Sequence, residues 1–359
     1  MTTSPKKIRI KLLGKYRPGN DGYGWFNRFP DGRTGNTKWG NCEFTFDRNE
    51  REYDWLIVWD DLPSVAGERH TLWEEQLACP RENTLLVTTE PSSIKVYGSK
   101  FLSQFGHVLT SQAPWAVGNH PGAIWEQTSY VWFYANSARG SYDSIRNHIP
   151  LNKAGEISAV CSTKQQRHTL HHRRYEFVMG LKSSIPEMEL FGRGIRFVED
   201  KADALDPYKY HVAIENFYGP HHWTEKLADP FLGACMPIYY GCPNAEDYFP
   251  AESFLRIDID DLDQSVETIN YAIKDQLYKK NLNAILESRR RLVEEYAPIA
   301  NISRLVNKLN NGDAAPSSDN DTVLSRHSIR KKTITNAFSY LSEKALVSLK
   351  HKFSRHNNK

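Results

Sequence analysis

The sequence predicts an α/β protein of two doubly wound, Rossmann-like domains facing a central cleft, on three observations. Short apolar runs recur through the first half, each closed by polar or Gly/Pro punctuation. The pattern relaxes around Asn147–Gly155, and a second alternation of apolar runs and helical stretches then begins. A length of 359 residues suits two domains of ordinary size with something added.

In the first half, Ile8–Leu13, Trp55–Trp59, Thr84–Thr88 and His107–Thr110 read as buried parallel strands. The stretch His-Ile-Pro-Leu-Asn-Lys-Ala-Gly ending at Gly155 reads as an interdomain linker. Beyond it, Ile157–Cys161, Glu189–Phe191, His211–Ile214, Met236–Tyr240 and Phe254–Ile257 read as strands. His168–Lys182, Thr224–Leu232 and Asp263–Tyr278 read as helices. The expected organisation is a first domain over 1–150, a second over 151–310, a flexible linker over 311–323 and a basic tail over 324–359. Ligands of such sheets bind outside the carboxyl ends of the strands, which directs attention to the residues after Thr88, Cys161 and Ile214.

Composition narrows the class. Hydrophobic residues at 40% and charged residues at 25% suit a globular protein and exclude wholesale disorder. Nine Trp and eighteen Tyr serve either an aromatic core or a carbohydrate site, where sugar C–H faces stack on flat rings. Five cysteines without metal-ligand spacing, four of them in apolar or strand-like contexts, read as reduced thiols of a cytoplasmic protein. No run approaches the ~20 apolar residues of a membrane-spanning helix. The opening Met1-Thr-Thr-Ser-Pro-Lys-Lys leads straight into a strand pattern, so no signal peptide is expected.

Charge is unevenly spread. Residues 326–359 carry nine Lys/Arg against the single acid Glu343, leaving 37 basic against 42 acidic residues elsewhere. A mildly acidic body with a basic tail excludes a whole-surface nucleic-acid binder. In the tail, Ile334, Phe338, Leu341, Ala345 and Leu349 share one helical stripe among Lys and Arg. Such a helix either lies on an anionic membrane surface or packs on protein, its own chain or a second copy in a homodimer. The first alternative places the protein peripherally at the inner face of the membrane.

The segment Ala213-Ile-Glu-Asn-Phe-Tyr-Gly-Pro-His-His-Trp-Thr-Glu-Lys-Leu-Ala-Asp229 carries the most chemistry. An apolar strand ends in Glu215-Asn216, a Gly/Pro loop follows, and Thr224 is a good N-cap for a helix whose first turn holds Glu225 and Lys226. A helix N-terminus favours a phosphate. Lys226 opposes the helix dipole there, a conflict that an anionic ligand would remove. An ordinary capped helix is the alternative reading.

This segment, with Met236-Pro-Ile-Tyr-Tyr-Gly241, Asp247-Tyr-Phe-Pro250 and Ser253-Phe254, resembles the family-10 glycosyltransferases, the α-1,3/4-fucosyltransferases, over roughly residues 157–260. The resemblance implies a GT-B-like fold with the acceptor domain first and the donor domain second. It implies inverting transfer of L-fucose from GDP-fucose to a glycan hydroxyl, with α-1,3-fucosylation of a surface glycan such as lipopolysaccharide as the expected outcome. Asn216, Thr224, Glu225 and Lys226 would contact the donor, with Lys226 on the diphosphate and Glu225 facing the sugar as positive charge develops at its anomeric carbon. Where the family has Tyr three residues before that Glu, this chain has His222.

Two further positions follow from the resemblance. Arg174, with Phe177 and Leu181 in register, would grip the leaving diphosphate bidentately, and its neighbour Arg173 would not. Glu90, before Pro91 at a strand tip, would be the general base that deprotonates the acceptor hydroxyl. Each also has a plain reading, as an exposed helix cation and a surface loop acid. Asp258, Asp260, Asp261 and Asp263 read as strand-end solvation with Asp263 as N-cap, and His168, His171 and His172 form no convincing zinc set. No metal site and no obligatory cofactor are therefore expected. The rival readings are a relative using another nucleotide sugar and a non-catalytic two-domain protein that binds one.

Overall fold

The computed structural model describes residues 6–15, 30, 36–64, 67–68, 70–129, 131–135, 140–162, 170–310, 321–333, 335–336, 338, 341–343 and 345. The chain forms two units, one of Met1–Ser129 with Ile299–Lys359 and one of Tyr130–Pro298.

The first unit opens with strands β1 (Ile8–Gly14), β2 (Asn36–Trp39), β3 (Cys42–Thr45), β4 (Trp55–Trp59), β5 (Glu74–Gln76), β6 (Thr84–Val87), β7 (His107–Thr110) and β8 (Ala123–Trp125), with short helices α1 (Ser99–Leu102) and α2 (Pro114–Val117). Seven strands build one sheet in the order β2-β3-β1-β4-β6-β7-β8. Its neighbours run parallel except in the hairpin β2–β3. The central strands are apolar throughout because both faces are covered: every residue of β4 and β6 is buried.

Lys11 breaks the apolar run of β1, and its surroundings explain why. Its ammonium donates to Glu75 Oε1 at 2.8 Å and to the carbonyls of Arg48 and Glu50 at 2.8 and 2.9 Å, so all three protons are used. Glu75, on β5, also accepts from Trp73 Nε1 at 3.0 Å. Both charged side chains are fully buried, and a buried pair is tolerable only when its hydrogen bonds are complete.

The second unit contains α3 (Tyr142–Asn147), β9 (Gly155–Val160), α4 (His171–Ser184), β10 (Glu189–Phe191), β11 (Tyr208–Ile214), α5 (Glu225–Leu232), β12 (Met236–Tyr240), β13 (Leu255–Arg256), α6 (Leu262–Lys274), α7 (Leu277–Lys280) and α8 (Leu282–Glu294). Its five-stranded sheet is wholly parallel in the order β10-β9-β11-β12-β13. That is a doubly wound sheet whose strand order reverses between β9 and β11, the place where such sheets open a crevice at their carboxyl ends. Both units are thus the parallel α/β units that the sequence predicts.

The chain then returns to the first unit through α9 (Pro298–Leu309), β14 (Thr322–Leu324) and α10 (Arg326–Lys332). This differs from the expected organisation in two places. The division falls at 129/130 rather than 150/151, because the segment after it packs into the second unit. Tyr142 donates to the Val293 carbonyl at 3.2 Å, and Arg289 donates to the carbonyls of Ile145 and His148. Linker positions 311–320 lie outside the described residues, but Thr322 and Val323 are strand, not linker. β14 pairs antiparallel with β5, and Val323 is fully buried in the core with Leu13, Leu56, Leu86 and Val108. Ser325 caps α10 by accepting from Ser328 N at 3.1 Å, and beyond it the described residues 335–336, 338, 341–343 and 345 are helical, with Asn336 accepting from Lys100 at 2.6 Å and Glu343 from Ser99 N at 3.3 Å. Of the apolar stripe, Phe338, Leu341 and Ala345 are exposed, while Ile334 and Leu349 lie outside the described residues.

Candidate active site

The site begins with a buried carboxylate at the tip of β11. Glu215 is fully buried and accepts two hydrogen bonds from Thr224, from its N–H at 2.8 Å and its hydroxyl at 2.7 Å. Room for it comes from Gly241 after β12, since a Cβ there would lie 2.4 Å from Glu215 Cγ. Thr224 is thereby fixed as the N-cap of α5, and its hydroxyl accepts from Lys226 N at 3.3 Å. Next to it, Trp223 packs edge-on against Tyr248, Phe249 and Tyr296 with centroids 5.1–5.7 Å away. Part of the aromatic richness is therefore core.

The first turn of α5 presents Glu225 and Lys226 side by side, with Lys226 Nζ 2.7 Å from Glu225 Oε1 and 3.8 Å from Glu215 Oε2. These pairings offset part of the conflict between Lys226 and the helix dipole. Burial pushes the Glu225 carboxyl up, but Lys226, Lys201 and its hydrogen bonds outweigh it and hold the group at about 2. Burial lowers Lys226, and the two carboxylates more than restore it. Both residues are charged at neutral pH.

A cavity of about 170 Å³ opens at the β9/β11 reversal. Val160 and Ser162 at the end of β9, Ile214 at the end of β11, Arg174 on α4 and Glu225 and Lys226 on α5 line it, together with Lys201, His211 and Asp229. Arg174 is 9% exposed, donates Nη1–H to Asn216 Oδ1 at 2.8 Å, and keeps a buried Nε without a partner among the described residues. Arg173, one position away, is paired with Asp260 instead. Three cations face two carboxylates here, which leaves the lining positive and suited to an anion.

Sequence reasoning did not assign Lys201, His211 or Asp229 to the site. Asp229 lies one turn beyond Glu225, is buried, and accepts from Lys201 at 2.7 Å and from the backbone N–H groups of Phe133 and Tyr134 at 2.8 and 3.0 Å. The i,i+4 spacing from Glu225 was its available signal. His211 is neutral because burial lowers it to about 3. Ser158 Oγ donates to the Ala204 carbonyl at 2.7 Å, so its 2.8 Å contact with His211 Nδ1 must be the ring N–H donating to Oγ. That assigns the tautomer and leaves Nε2 as an acceptor. Glu215 was quoted only as part of a motif, and its bracing role is visible only in the fold.

Arg174, Asn216, Thr224, Glu225 and Lys226 are thus brought together. His222 is 3% exposed, held neutral at about 3 by burial, and packed edge-on to Phe217 rather than among the residues lining the cavity. Glu90 belongs to the first unit, follows β6 and is exposed. Asp261, not Asp263, caps α6, accepting from Gln264 N at 3.0 Å. No metal-holding group of His, Cys, Asp or Glu occurs among the described residues.

A doubly wound α/β unit with a cationic cavity at its strand-order reversal defines a class of domains that hold anionic, nucleotide-like ligands. Comparison with known proteins makes this specific: residues 150–281, within the second unit, match the family model for glycosyltransferase family 10 (fucosyltransferase) C-term. The α-(1,3)-fucosyltransferase FucT of Helicobacter pylori is 32% identical over 95 residues, 24% of this chain and 20% of that protein. The mouse 4-galactosyl-N-acetylglucosaminide 3-α-L-fucosyltransferase 9 is 30% identical over 92 residues, 24% of this chain and 25% of that protein. The chain therefore matches a quarter or less of these relatives' length. A crystal structure of an α1,3-fucosyltransferase with GDP-fucose aligns at 15% identity and TM-score 0.47, covering 89% of this chain and 94% of that one.

Glu215 gives a test of the brace. Burial pushes its carboxyl from 4.5 up to about 7, ahead of the opposing pull of Lys226 and Thr224. The folded state therefore holds the proton more tightly than the unfolded chain does. The stability from this group is complete below the unfolded value and is lost as pH rises through about 7, by up to about 1.4 kcal/mol per pH unit. Glu215→Gln cannot titrate. The urea midpoint of the wild type relative to that of the variant should therefore decrease from pH 5 to pH 8, and a difference that stays constant with pH would contradict the assignment.

Proposed function

We propose that this protein is an inverting fucosyltransferase that moves L-fucose from GDP-fucose to a glycan hydroxyl. The observation that carries the reading is the convergence of Arg174, whose Nε has no partner among the described residues, and Lys226 on one cavity within the segment that matches the family-10 model. Arg174, Lys226 and the N–H groups opening α5 would take the negative charge that builds on GDP as it leaves. Glu225, kept anionic, would face the positive charge developing at the anomeric carbon, and Asn216 would orient Arg174. His222, a neutral buried ring against Phe217, would bear on the donor only through the loop that leads into α5. Glu90 would accept the acceptor's proton as its oxygen attacks the opposite face of the sugar, turning the β-linked donor into an α-fucoside. This scheme requires no metal, because side chains and helix supply the positive charge, and activity should persist in EDTA.

The acceptor we propose is a surface glycan such as lipopolysaccharide, fucosylated in α-1,3 linkage. A galactosyl-N-acetylglucosaminide, the acceptor in the name of the mouse relative, is the first compound to try. Turnover of GDP-fucose should exceed that of UDP-galactose and UDP-N-acetylglucosamine. Arg174→Ala and Lys226→Ala should each slow transfer by ~10²-fold or more, the usual cost of one charged transition-state contact. Arg173→Ala should do far less. Equal turnover of UDP-sugars, or greater sensitivity at Arg173, would contradict the reading.

We also propose that the tail beyond α10 holds the protein at an anionic membrane surface. The exposed Phe338, Leu341 and Ala345 support this, as does the basic charge around them. No helix among the described residues is long and apolar enough to cross a membrane. A chain ended at Lys332 keeps β14 and α10, so it should retain fold and transfer yet lose sedimentation with anionic vesicles. Retained sedimentation would show that the tail is no anchor, and a changed oligomeric state would show that it packs on protein.

A further inference from the structure

Asp60 follows β4 directly and has φ +70°. The N–H of Asp61 donates to the carbonyl of Trp59 at 2.9 Å, so residues 59–61 form a γ-turn with positive φ at its centre. That hand of the turn is the strained one for a residue with a Cβ. Glycine would make the turn without strain, so what the position gains must come from the side chain.

That side chain gathers one loop. Asp60 Oδ1 accepts from the Tyr97 hydroxyl at 2.6 Å, from the Thr89 hydroxyl at 2.9 Å and from the Lys95 ammonium. Burial pushes the carboxyl up, but Lys95 and the two hydroxyls outweigh it and keep the group ionised. The donors stand on both sides of Glu90, one residue before it and five and seven after. The loop is closed elsewhere too. Gln112 Nε2 donates to the carbonyls of Glu90 and Lys95 at 2.8 Å each, and Thr89 N donates to the Tyr97 hydroxyl at 2.8 Å. From α10, Arg326 donates to the carbonyls of Val96 and Tyr97 at 2.5 and 3.3 Å, with its guanidinium 5.2 Å from the Tyr97 ring centre.

We propose that Asp60 is the positioning residue for Glu90: its carboxylate, aimed by the strained turn, fixes the 89–97 loop and thereby the place from which Glu90 takes the acceptor's proton. The inference rests on the reading of Glu90 as general base. It also gives β14 and α10 a part in the reaction, since Arg326 closes the same loop from its far end.

The test is a double-mutant cycle with GDP-fucose and a galactosyl-N-acetylglucosaminide, reading kcat, GDP affinity by calorimetry and melting temperature. Asp60→Asn keeps the size of the side chain and loses the charge that holds Lys95. It should lower kcat by ~10-fold or more with GDP affinity unchanged, and Glu90→Gln should lower it by ~10²–10⁴-fold. If Asp60 acts through Glu90, the double variant should be no slower than Glu90→Gln alone. A full additional loss in the double variant, or wild-type kcat in Asp60→Asn beside a crippled Glu90→Gln, would overturn the positioning role. Near-wild-type transfer by Glu90→Gln would instead overturn the base assignment on which the inference rests. Should Asp60→Asn fail to fold, Tyr97→Phe removes one of the three donors and should show a smaller kcat loss with the same non-additivity; additive loss there would overturn the proposal equally.

Discussion

The hydrogen-bonded pair between Glu215 and Thr224 is the contact on which the rest of the second unit's chemistry depends. It joins the end of β11 to the start of α5 across nine residues, out of water's reach, with both carboxylate oxygens engaged by one residue. Everything that follows from α5 inherits its position from that join: the N-cap, the free N–H groups, and the adjacent charges of Glu225 and Lys226. The space for it is made at the end of the neighbouring strand by Gly241, where any Cβ would strike Glu215. The segment's strand, loop and helix are thus one mechanical piece.

Charge is handled differently in the two units. In the first, the fully buried Lys11 and Glu75 are complete, each proton and oxygen engaged, and their role is to seat β5 on the sheet. In the second, the charges around the cavity are deliberately incomplete in one respect. Arg174 has a buried N–H that nothing among the described residues accepts, and the lining carries more positive groups than negative. A buried unmade hydrogen bond costs about 1–3 kcal/mol. An anion that accepted that hydrogen bond would recover the cost, which is why this cavity, rather than the better-satisfied cluster around Lys11, is read as a binding site.

Much of this was legible in the sequence. Strands β1, β4, β6, β7, β9, β11 and β12 announce themselves as apolar runs because they are largely buried, the edge strand β10 by its Leu190 and Phe191, and α5 through Thr224 and its first turn. The hairpin β2–β3 and the strands β5, β8 and β14 were missed. β5 reads Glu-Glu-Gln, and its membership of the fold depends on a partner 64 residues away at Lys11, which no local pattern reveals. The domain boundary was misplaced for the same kind of reason. A Pro/Gly-bearing stretch around 147–155 looks like a linker until Arg289 is seen to hold the carbonyls of Ile145 and His148. In the site, the residues at strand tips and in the helix's first turn could be read. Lys201 and His211 could not, because their roles depend on which elements the fold sets beside them.

The central claim is that the cavity between the ends of β9 and β11 holds a diphosphate. The most direct measurement is a calorimetric titration of the full-length protein with GDP and, separately, with GMP, at two salt concentrations. If Arg174, Lys226 and the N-terminus of α5 grip the diphosphate, GDP should bind at least ~10-fold more tightly than GMP, with the gap narrowing at higher salt. Equal affinity for the two, or a difference that salt leaves untouched, would contradict the account.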